Sequence, residues 1–494
     1  MDQPKIIIIG AGLAGLSAAQ RLITKGLNNV HIIEAKNRIG GRVLTQEHGG
    51  SYIEIGAQWI HGEGSNPIYR IAHENGLLKK ELREDHKNDE GDLFYTQHGQ
   101  LAPIELVEDT DGILDDILEE ANKFSRQNVP ADKWDDSLGQ YAREMFLRSG
   151  TMTGRGSSVQ QIIEAIFNWK MALEKTENGC PSPDELSLYA WGQYLEYEGD
   201  DSVVLEHGYE PIIRVLAADI PEECLHLNKE VETIKWTSST EDVPDAGNNA
   251  VVSPLVVGLG DGETQTADYV IFTCSLGILK SRAASMFIPP LPEDKTAAID
   301  RMGFGTVNKI FLEYERPFWD KDCMDIELLW LPDKQPFFLN CLNNKHIEKY
   351  GEWYRSIHGF DVVDHHSNLL CGWIAGSEAN VMEQIDDDVI IDVCHELLMR
   401  FTGVNDMSRP NKLIRSCWSS DPHVLGSYTY IKAGNTAGDC DVLSEALPST
   451  QNPRLLFAGE ATVKAYFSTT HGALLSGQRE ADRIIDHHEK TKHE

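Results

Sequence analysis

Four consecutive isoleucines, Ile6–Ile9, run straight into a glycine-spaced turn, and nothing else in the chain restricts its fold as strongly. A short apolar run ended by glycine predicts a buried parallel strand. Gly10, Gly12 and Gly15 then fill a G-x-G-x-x-G pattern. The first glycine permits the tight turn, the second lets backbone approach a pyrophosphate, and the third lets the next helix pack close to the sheet. That helix, expected over Ala14–Lys25, aims its N-terminal amides and positive dipole end at phosphate. A second strand, Val30–Ile33, ends at Glu34, where a carboxylate is placed to accept hydrogen bonds from a ribose. The glycine pattern alone is weak evidence; with strand, helix and acid in place it predicts a dinucleotide site. Arg38-Ile39-Gly40-Gly41-Arg42 brings two guanidiniums and further free amides to a pyrophosphate, or else forms a solvated basic turn.

The 494 residues suggest two or three domains, and 41% hydrophobic content is enough for large cores. No apolar stretch reaches the roughly 18 residues needed to span a bilayer, and no signal peptide is expected. The closing Lys-His-Glu is not a peroxisomal tripeptide of the Ser-Lys-Leu type. The nine cysteines are scattered without a C-x-x-C pair, so neither a disulfide framework nor a zinc site is suggested. The expectation is a cytoplasmic protein with no membrane partner. His365-His366 and His487-His488 read as surface pairs, and no metal site is expected. A net charge of −34 argues against nucleic acid as a partner. It suits the focusing of cationic ligands, or simply solubility.

Further along, Gly49–Gly62 ends in GAQWIHG, a glycine-bounded loop with Trp59 and His61. Residues 86–205 carry acidic helical patterns over Asp111–Gln127 and Ser137–Leu147, and an amphipathic one over Val159–Leu173 with Ile162, Ile163, Ile166 and Trp169 inward. Glu174 is placed just beyond it. Strands are expected at Leu225–Leu227, Glu230–Trp236, Val251–Val257 and Asp268–Phe272, with a polar loop over Ser238–Asn249. In Gly303–Tyr314, GFGTVNKIFLEY, alternation puts Lys309 on one face with Val307 and Phe311. A lysine there snorkels or needs a partner. Phe318–Leu342 and Leu369–Ile374 read as further strands, Asp388–Phe401 as a helix, and Leu455–Ala458 as a buried strand before a helix near His471.

Five of these motifs, GAGLAGLSAA, EAKNRIGGR, GAQWIHG, GTVNKIFLEYERPFW and FAGEATVKAYFSTTHGALLSGQREA, resemble in order the flavin amine oxidase family, and its animal polyamine oxidase branch in particular. The resemblance implies an α/β plus α+β architecture: a Rossmann-like FAD-binding domain over 1–85, 206–280 and 425–494, and a substrate domain of mixed sheet flanked by helices over 86–205 and 281–424. It implies FAD rather than NAD, bound without a covalent link because Ala461–Thr470 holds no cysteine. The cofactor would contact Gly10, Gly12, Ala14, Gly15, Glu34, Arg38, Gly41, Arg42, Gly56, Ala57, Gln58, Trp59, Val231, Glu460, Thr469 and Thr470.

The same resemblance implies roles at the reacting centre. Trp59 would stack in the active site, His61 face the substrate channel, and Lys309 hold a water against the flavin near N5. Asn308 and Val307 would tune substrate choice. Glu174 would bind a distal ammonium, with Tyr194, Tyr428 and Ser468 also lining the substrate; read without the resemblance, these are ordinary solvated or strand residues. The implied reaction is oxidation of a secondary amine of spermine or an N1-acetylated polyamine by hydride transfer to flavin N5. Its products are an aminoaldehyde, a shorter polyamine and hydrogen peroxide, with molecular oxygen as acceptor and a monomer as the working unit. A lysine-demethylase-like oxidase and a catalytically silent flavoprotein scaffold are the alternatives.

Overall fold

The computed structural model describes residues 3–79, 91–126, 135–200, 202–236, 254–332 and 337–493. The expected polar loop Ser238–Asn249 lies outside the described residues.

The isoleucine run is the centre of a six-stranded sheet. Across it the order is Leu447–Pro448, Pro453–Phe457, Tyr269–Phe272, Ile6–Ile9, Val30–Ile33 and Leu225–His226. Ile6–Ile9 pairs in parallel with both neighbours, Ile6 opposite Val30 on one side and Tyr269 on the other. A parallel strand covered on both faces reads as a continuous apolar run, and the burial explains it residue by residue. Ile6 and Ile8 pack towards the helices, with Leu16, Leu22 and Leu474. Ile7 and Ile9 pack the other way, against Ile234 and Val257. The helices on the first side are Leu13–Thr24 and Thr470–His493. On the second lies a four-stranded sheet ordered Phe287–Ile288, Val231–Lys235, Leu255–Leu259 and Thr264–Ala267.

A second six-stranded sheet is mixed. Its order is Lys412–Arg415, Val307–Glu313, Leu369–Ala375, Gly359–Val362, Asp325–Leu329 and Asp92–Thr96, all antiparallel except the last pair. One face is apolar, where Ile310, Leu312, Ile326, Leu328 and Ile374 pack on Val393, Leu397 and Phe401 of helix Asp387–Thr402. Side chains alternate along a strand, so Lys309, Asp325, Glu327, Asp361 and Trp373 fall on the other face. Helices Ile104–Arg126, Leu138–Ser149 and Ser157–Asn178 share a core of their own and cover part of that face.

Several expectations change. Helix Ser157–Asn178 runs a turn beyond Leu173 and stops only at Gly179, whose φ of +62° an L side chain rarely adopts, so Glu174 sits inside the helix. Among the described residues of 318–342 only Asp325–Leu329 is a strand. The histidine pairs are not simply surface groups. His366 is buried with Nε2 3.0 Å from the Tyr52 carbonyl, and His487 stands 2.8 Å from the Tyr269 hydroxyl.

Candidate active site

A continuous cavity of about 1860 Å³ runs from the glycine turn to the polar face of the mixed sheet. Pockets for one drug-sized ligand measure about 300–1,000 Å³, so this volume admits a dinucleotide and a second ligand together.

The dinucleotide half follows from the glycines. Gly10 has φ +104° and an added Cβ would stand 2.7 Å from Thr273 Oγ1. A Cβ on Gly15 would lie 2.0 Å from the Gly10 carbonyl, so helix and strand could not approach as they do. Gly12 differs: a Cβ there meets nothing within 4 Å and would project into open space at the helix N-terminus. That is the opening a pyrophosphate needs. Glu34 is buried; its carboxylate accepts the Ala11 N–H at 2.8 Å and the Lys36 N–H at 2.9 Å, and it faces the cavity. Val231, Ala14 and Gly41 line the same side.

Arg42 and Arg38 part company. Arg42 lines the cavity, donating to Glu460 Oε1 at 2.8 Å and to the Ser427 carbonyl at 2.7 Å. Arg38 instead braces its own loop, donating to the carbonyls of Ile39, Gly41 and Val43, and is absent from the cavity wall. The expected second guanidinium at the pyrophosphate is therefore a loop clamp. Glu460 is buried and fixed from three sides, by Arg42, the Thr429 hydroxyl and the Ser468 N–H. Thr469 and Thr470 line the cavity where the last helix begins.

The two halves meet at Lys309. It is buried on strand Val307–Glu313, and its Nζ donates to the carbonyls of Glu54 (2.8 Å) and Gly56 (3.0 Å) and to Gln58 Oε1 (2.8 Å). Trp373, its cross-strand partner, places its ring 4.6 Å from Nζ and stacks on Trp59 at 5.6 Å between centroids. Burial lowers the Lys309 pKa, with Glu54 and Asp361 acting against it. Three protein acceptors use all three protons of the ammonium. The water expected on Lys309 thus needs Gln58 to turn away or the lysine to be neutral, when its lone pair accepts from water. Glu54 itself is pushed up to about 7 by burial.

Of the remaining candidates, His61 is exposed and lines the cavity. Tyr194 lines it edge-on to Phe467. Tyr428 lines it with its hydroxyl donating to the Thr176 carbonyl at 2.7 Å, whereas Tyr430 is turned away. Ser468 reaches the cavity, but its hydroxyl donates to the Thr429 carbonyl and is not free to donate to a substrate. Val307 lines the cavity; Asn308 does not, its amide being spent on Glu383, Ser416 and Trp418.

Glu174 is buried and lines the cavity. Burial and then Glu177 push its pKa up to about 8. A carboxyl with that pKa is protonated at pH 7 and ionises when a cation arrives. Binding of a polycation, tested with spermine, is therefore expected at pH 7 to release a proton, seen as a calorimetric heat that varies with buffer ionisation enthalpy. Glu174→Gln should reduce that release; equal release in both proteins would place the titration elsewhere.

Sequence reading missed Trp373, Asp361, Asp325, Glu327 and His358, all on the cavity wall. Trp373 donates from Nε1 to Asp361 Oδ2 at 2.6 Å, which fixes the indole over Lys309. Asp361→Ala should leave that N–H unpaired and loosen the stack. We expect a fall in kcat of about five- to thirtyfold, from about 1–2 kcal/mol of lost orientation, with the fold retained.

The glycine turn on a parallel strand, the ribose-ready acid and the open pyrophosphate cradle define a dinucleotide-dependent enzyme, and the Lys309–Trp373–Trp59 junction places its chemistry where the crevice widens. The chain belongs to the flavin containing amine oxidoreductase family, whose model matches residues 13–485. FAD is its cofactor, and the residues above fit it. A bovine peroxisomal N(1)-acetyl-spermine/spermidine oxidase is 34% identical over 98% of this chain and 94% of its own. Polyamine oxidase 1 of Oryza sativa subsp. japonica is 32% identical over 98% of both. A structure of putrescine oxidase bound to putrescine shares the fold, with TM-score 0.70 and 19% identity over 98% of this chain and 99% of that one. Among the described residues no helix is long and apolar enough to cross a membrane.

Proposed function

We propose that this flavoenzyme oxidises a secondary amine of a polyamine, with oxygen as acceptor, to give an aminoaldehyde, a shorter polyamine and hydrogen peroxide. The observation that carries this reading is the junction itself. The aromatic pair Trp59–Trp373 and Lys309 stand where the dinucleotide crevice opens into a chamber walled by Glu174, Glu177, Asp325, Glu327 and Asp361. Such a wall attracts and orients a polycation.

FAD would be held by the residues lining the dinucleotide half of the cavity and would supply two-electron redox chemistry, as acceptor for a hydride from the carbon beside the amine nitrogen and as donor of those electrons to oxygen. The chain's task is orientation and selection. Trp59 and Trp373 confine the reacting C–H from one side. The carboxylates hold protonated nitrogens in register, leaving the reacting nitrogen in an apolar stretch where its neutral form is favoured. Lys309, clamped by three acceptors, presents a buried positive charge next to the reacting centre. His61 faces the open end. The cofactor roles of the glycines, Glu34, Arg42, Gly56–Trp59, Val231, Glu460, Thr469 and Thr470 belong to the same proposal; Arg38 acts through its loop.

The two-lobe division expected from sequence is proposed as well, with strand Phe287–Ile288, which pairs with Val231–Lys235, assigned to the nucleotide lobe and the pair Gly303–Gly305 with Tyr428–Tyr430 joining the two lobes. A monomeric state and a cytoplasmic location are proposed with it, to be checked by sedimentation and cell fractionation.

Anaerobic mixing of the yellow protein with spermine, and separately with N1-acetylspermine, tests the activity. Rapid bleaching of the flavin by either amine is the expected result. A flavin that neither amine reduces would sink the polyamine reading.

A further inference from the structure

The polar face of the mixed sheet carries an arrangement that strand register makes unusual. Asp325 stands directly opposite Asp361 on one side and Asp92 on the other, so three aspartates lie in a row across three adjacent strands. Glu327, two residues on from Asp325, adds a fourth carboxylate to the same face. Like charges directly opposite one another destabilise a sheet. The wall has nonetheless been shaped to keep Glu327: a Cβ on Gly359, its cross-strand partner, would stand 2.1 Å from Glu327 Oε2. Indole N–H donors fix two members, Trp169 to Glu327 Oε2 at 2.7 Å and Trp373 to Asp361 Oδ2 at 2.6 Å.

Three of these carboxylates, Asp325, Glu327 and Asp361, have no cation beside them among the described residues. Among the described residues no Lys or Arg nitrogen comes within 4.0 Å of the carboxylates of Asp325, Glu327 or Asp361. His358, 5% exposed, holds Nδ1 3.6 Å from Glu327 Oε2, too long for a hydrogen bond. Among the described residues its Nε2 has no hydrogen-bond partner, and the residue lines the cavity. A buried nitrogen left unpaired is costly, and the carboxyls of Glu327 and Asp361, whose charges act on His358, rule out an anion as the missing partner. No grouping of described residues has the closeness a metal ion needs. A donor with several N–H groups and a positive charge answers both the carboxylates and Nε2.

We propose that Asp325, Glu327 and Asp361, with Nε2 of His358, form a subsite for a primary ammonium of the substrate, so that the enzyme selects polyamines with an unmodified amino end on this side of the reacting nitrogen. The proposal rests on the polyamine reading above and narrows it. Asp361 is one indole away from Lys309, so the subsite serves an arm close to the reacting centre, separate from Glu174 on the helical wall. Protons can supply part of the charge that these carboxyls call for. Burial and then Asp361 hold Asp325 well above the usual carboxylate range, where it shares a hydrogen bond with Asp92. Burial pushes Asp361 up to about 6. Burial alone would lower His358, but Glu327 and Asp361 outweigh it and raise it. A bound ammonium replaces these protons.

Stopped-flow reduction of the holoenzyme by spermine and by N1,N12-diacetylspermine, which carries no terminal charge, tests the subsite. The wild type should prefer spermine at least about tenfold in the ratio of reduction rate constant to Kd, the difference lying in Kd. Asp325→Asn and Glu327→Gln should each cut that preference fivefold or more while retaining FAD. A wild type reduced equally well by both amines overturns the subsite without recourse to any variant. So does a preference that falls less than fivefold in every variant that retains FAD. Failure of every polyamine to reduce the wild type is a different result: it removes the polyamine reading itself.

Discussion

Replacing Lys309 by Met should slow reoxidation of the reduced flavin by oxygen about a hundredfold or more, while anaerobic reduction by spermine changes far less. Electron transfer to oxygen develops negative charge, and a buried, pre-aligned cation stabilises that charge without reorganising. Removing one such donor costs about 10²–10³ in rate. Lys309 is pre-aligned by the carbonyls of Glu54 and Gly56 and by Gln58, within the loop that also carries Trp59. Methionine keeps the length and apolar stem but leaves three acceptors unmatched, the Glu54 carbonyl buried and the other two part-buried, at about 1–3 kcal/mol each where no water replaces them. A lower melting temperature should therefore accompany the kinetic defect. The pH dependence gives an independent sign. Burial lowers the Lys309 pKa below its ordinary 10.5. The cation is then present at low pH, and the reoxidation rate should fall as pH rises through that lowered value. The Met variant should lack this limb. Stopped-flow mixing with oxygen across pH measures both, and a variant reoxidised at the wild-type rate would remove Lys309 from the oxygen reaction.

How far the sequence could be read depended on how local the relevant geometry is. The glycine turn, its helix and Glu34 were legible because their spacing along the chain is their geometry. Lys309 was legible for a similar reason: alternation within one strand places it on the face away from Ile310 and Leu312. The residues that complete the site are products of pairing between distant segments. Trp373 meets Lys309 only because Leu369–Ala375 runs antiparallel to Val307–Glu313 in one particular register. A slip of one residue would turn the indole to the apolar face. The aspartate row needs three strands from three parts of the chain, one of them paired in parallel. Arg38 failed for a different reason. A guanidinium near a glycine pair looks like a phosphate ligand, but the loop's own carbonyls needed donors and took it. Glu174 was misplaced because no helix stop precedes Gly179, and the last turn carries enough polar residues to read as a loop.

The glycines of the opening turn allow a sharper separation of folding from cofactor binding. Gly12→Ala should yield a folded, colourless protein whose FAD affinity is at least about a hundredfold weaker. The reason is that its backbone, φ −78° and ψ −176°, is one that any L residue adopts. An added Cβ meets nothing within 4 Å of protein, so the apoprotein loses no packing. The empty space is where backbone must approach a pyrophosphate, and a methyl there blocks the amides at the helix N-terminus. Gly15→Ala should behave in the opposite way. Its Cβ would lie 2.0 Å from the Gly10 carbonyl, and helix Leu13–Thr24 would have to move off the sheet. Overpacking of this kind costs about 1–3 kcal/mol or more, so loss of stability comes first and loss of flavin follows from it. Gly10→Ala combines a φ of +104° with a contact of 2.7 Å and should resemble Gly15→Ala. Thermal melts of the three apoproteins, set beside flavin titrations, measure the separation. A Gly12→Ala protein that binds FAD as tightly as the wild type would show that the cofactor does not lie across this turn. The open cradle would then have to be explained as a packing defect, although the two glycines beside it are filled to contact.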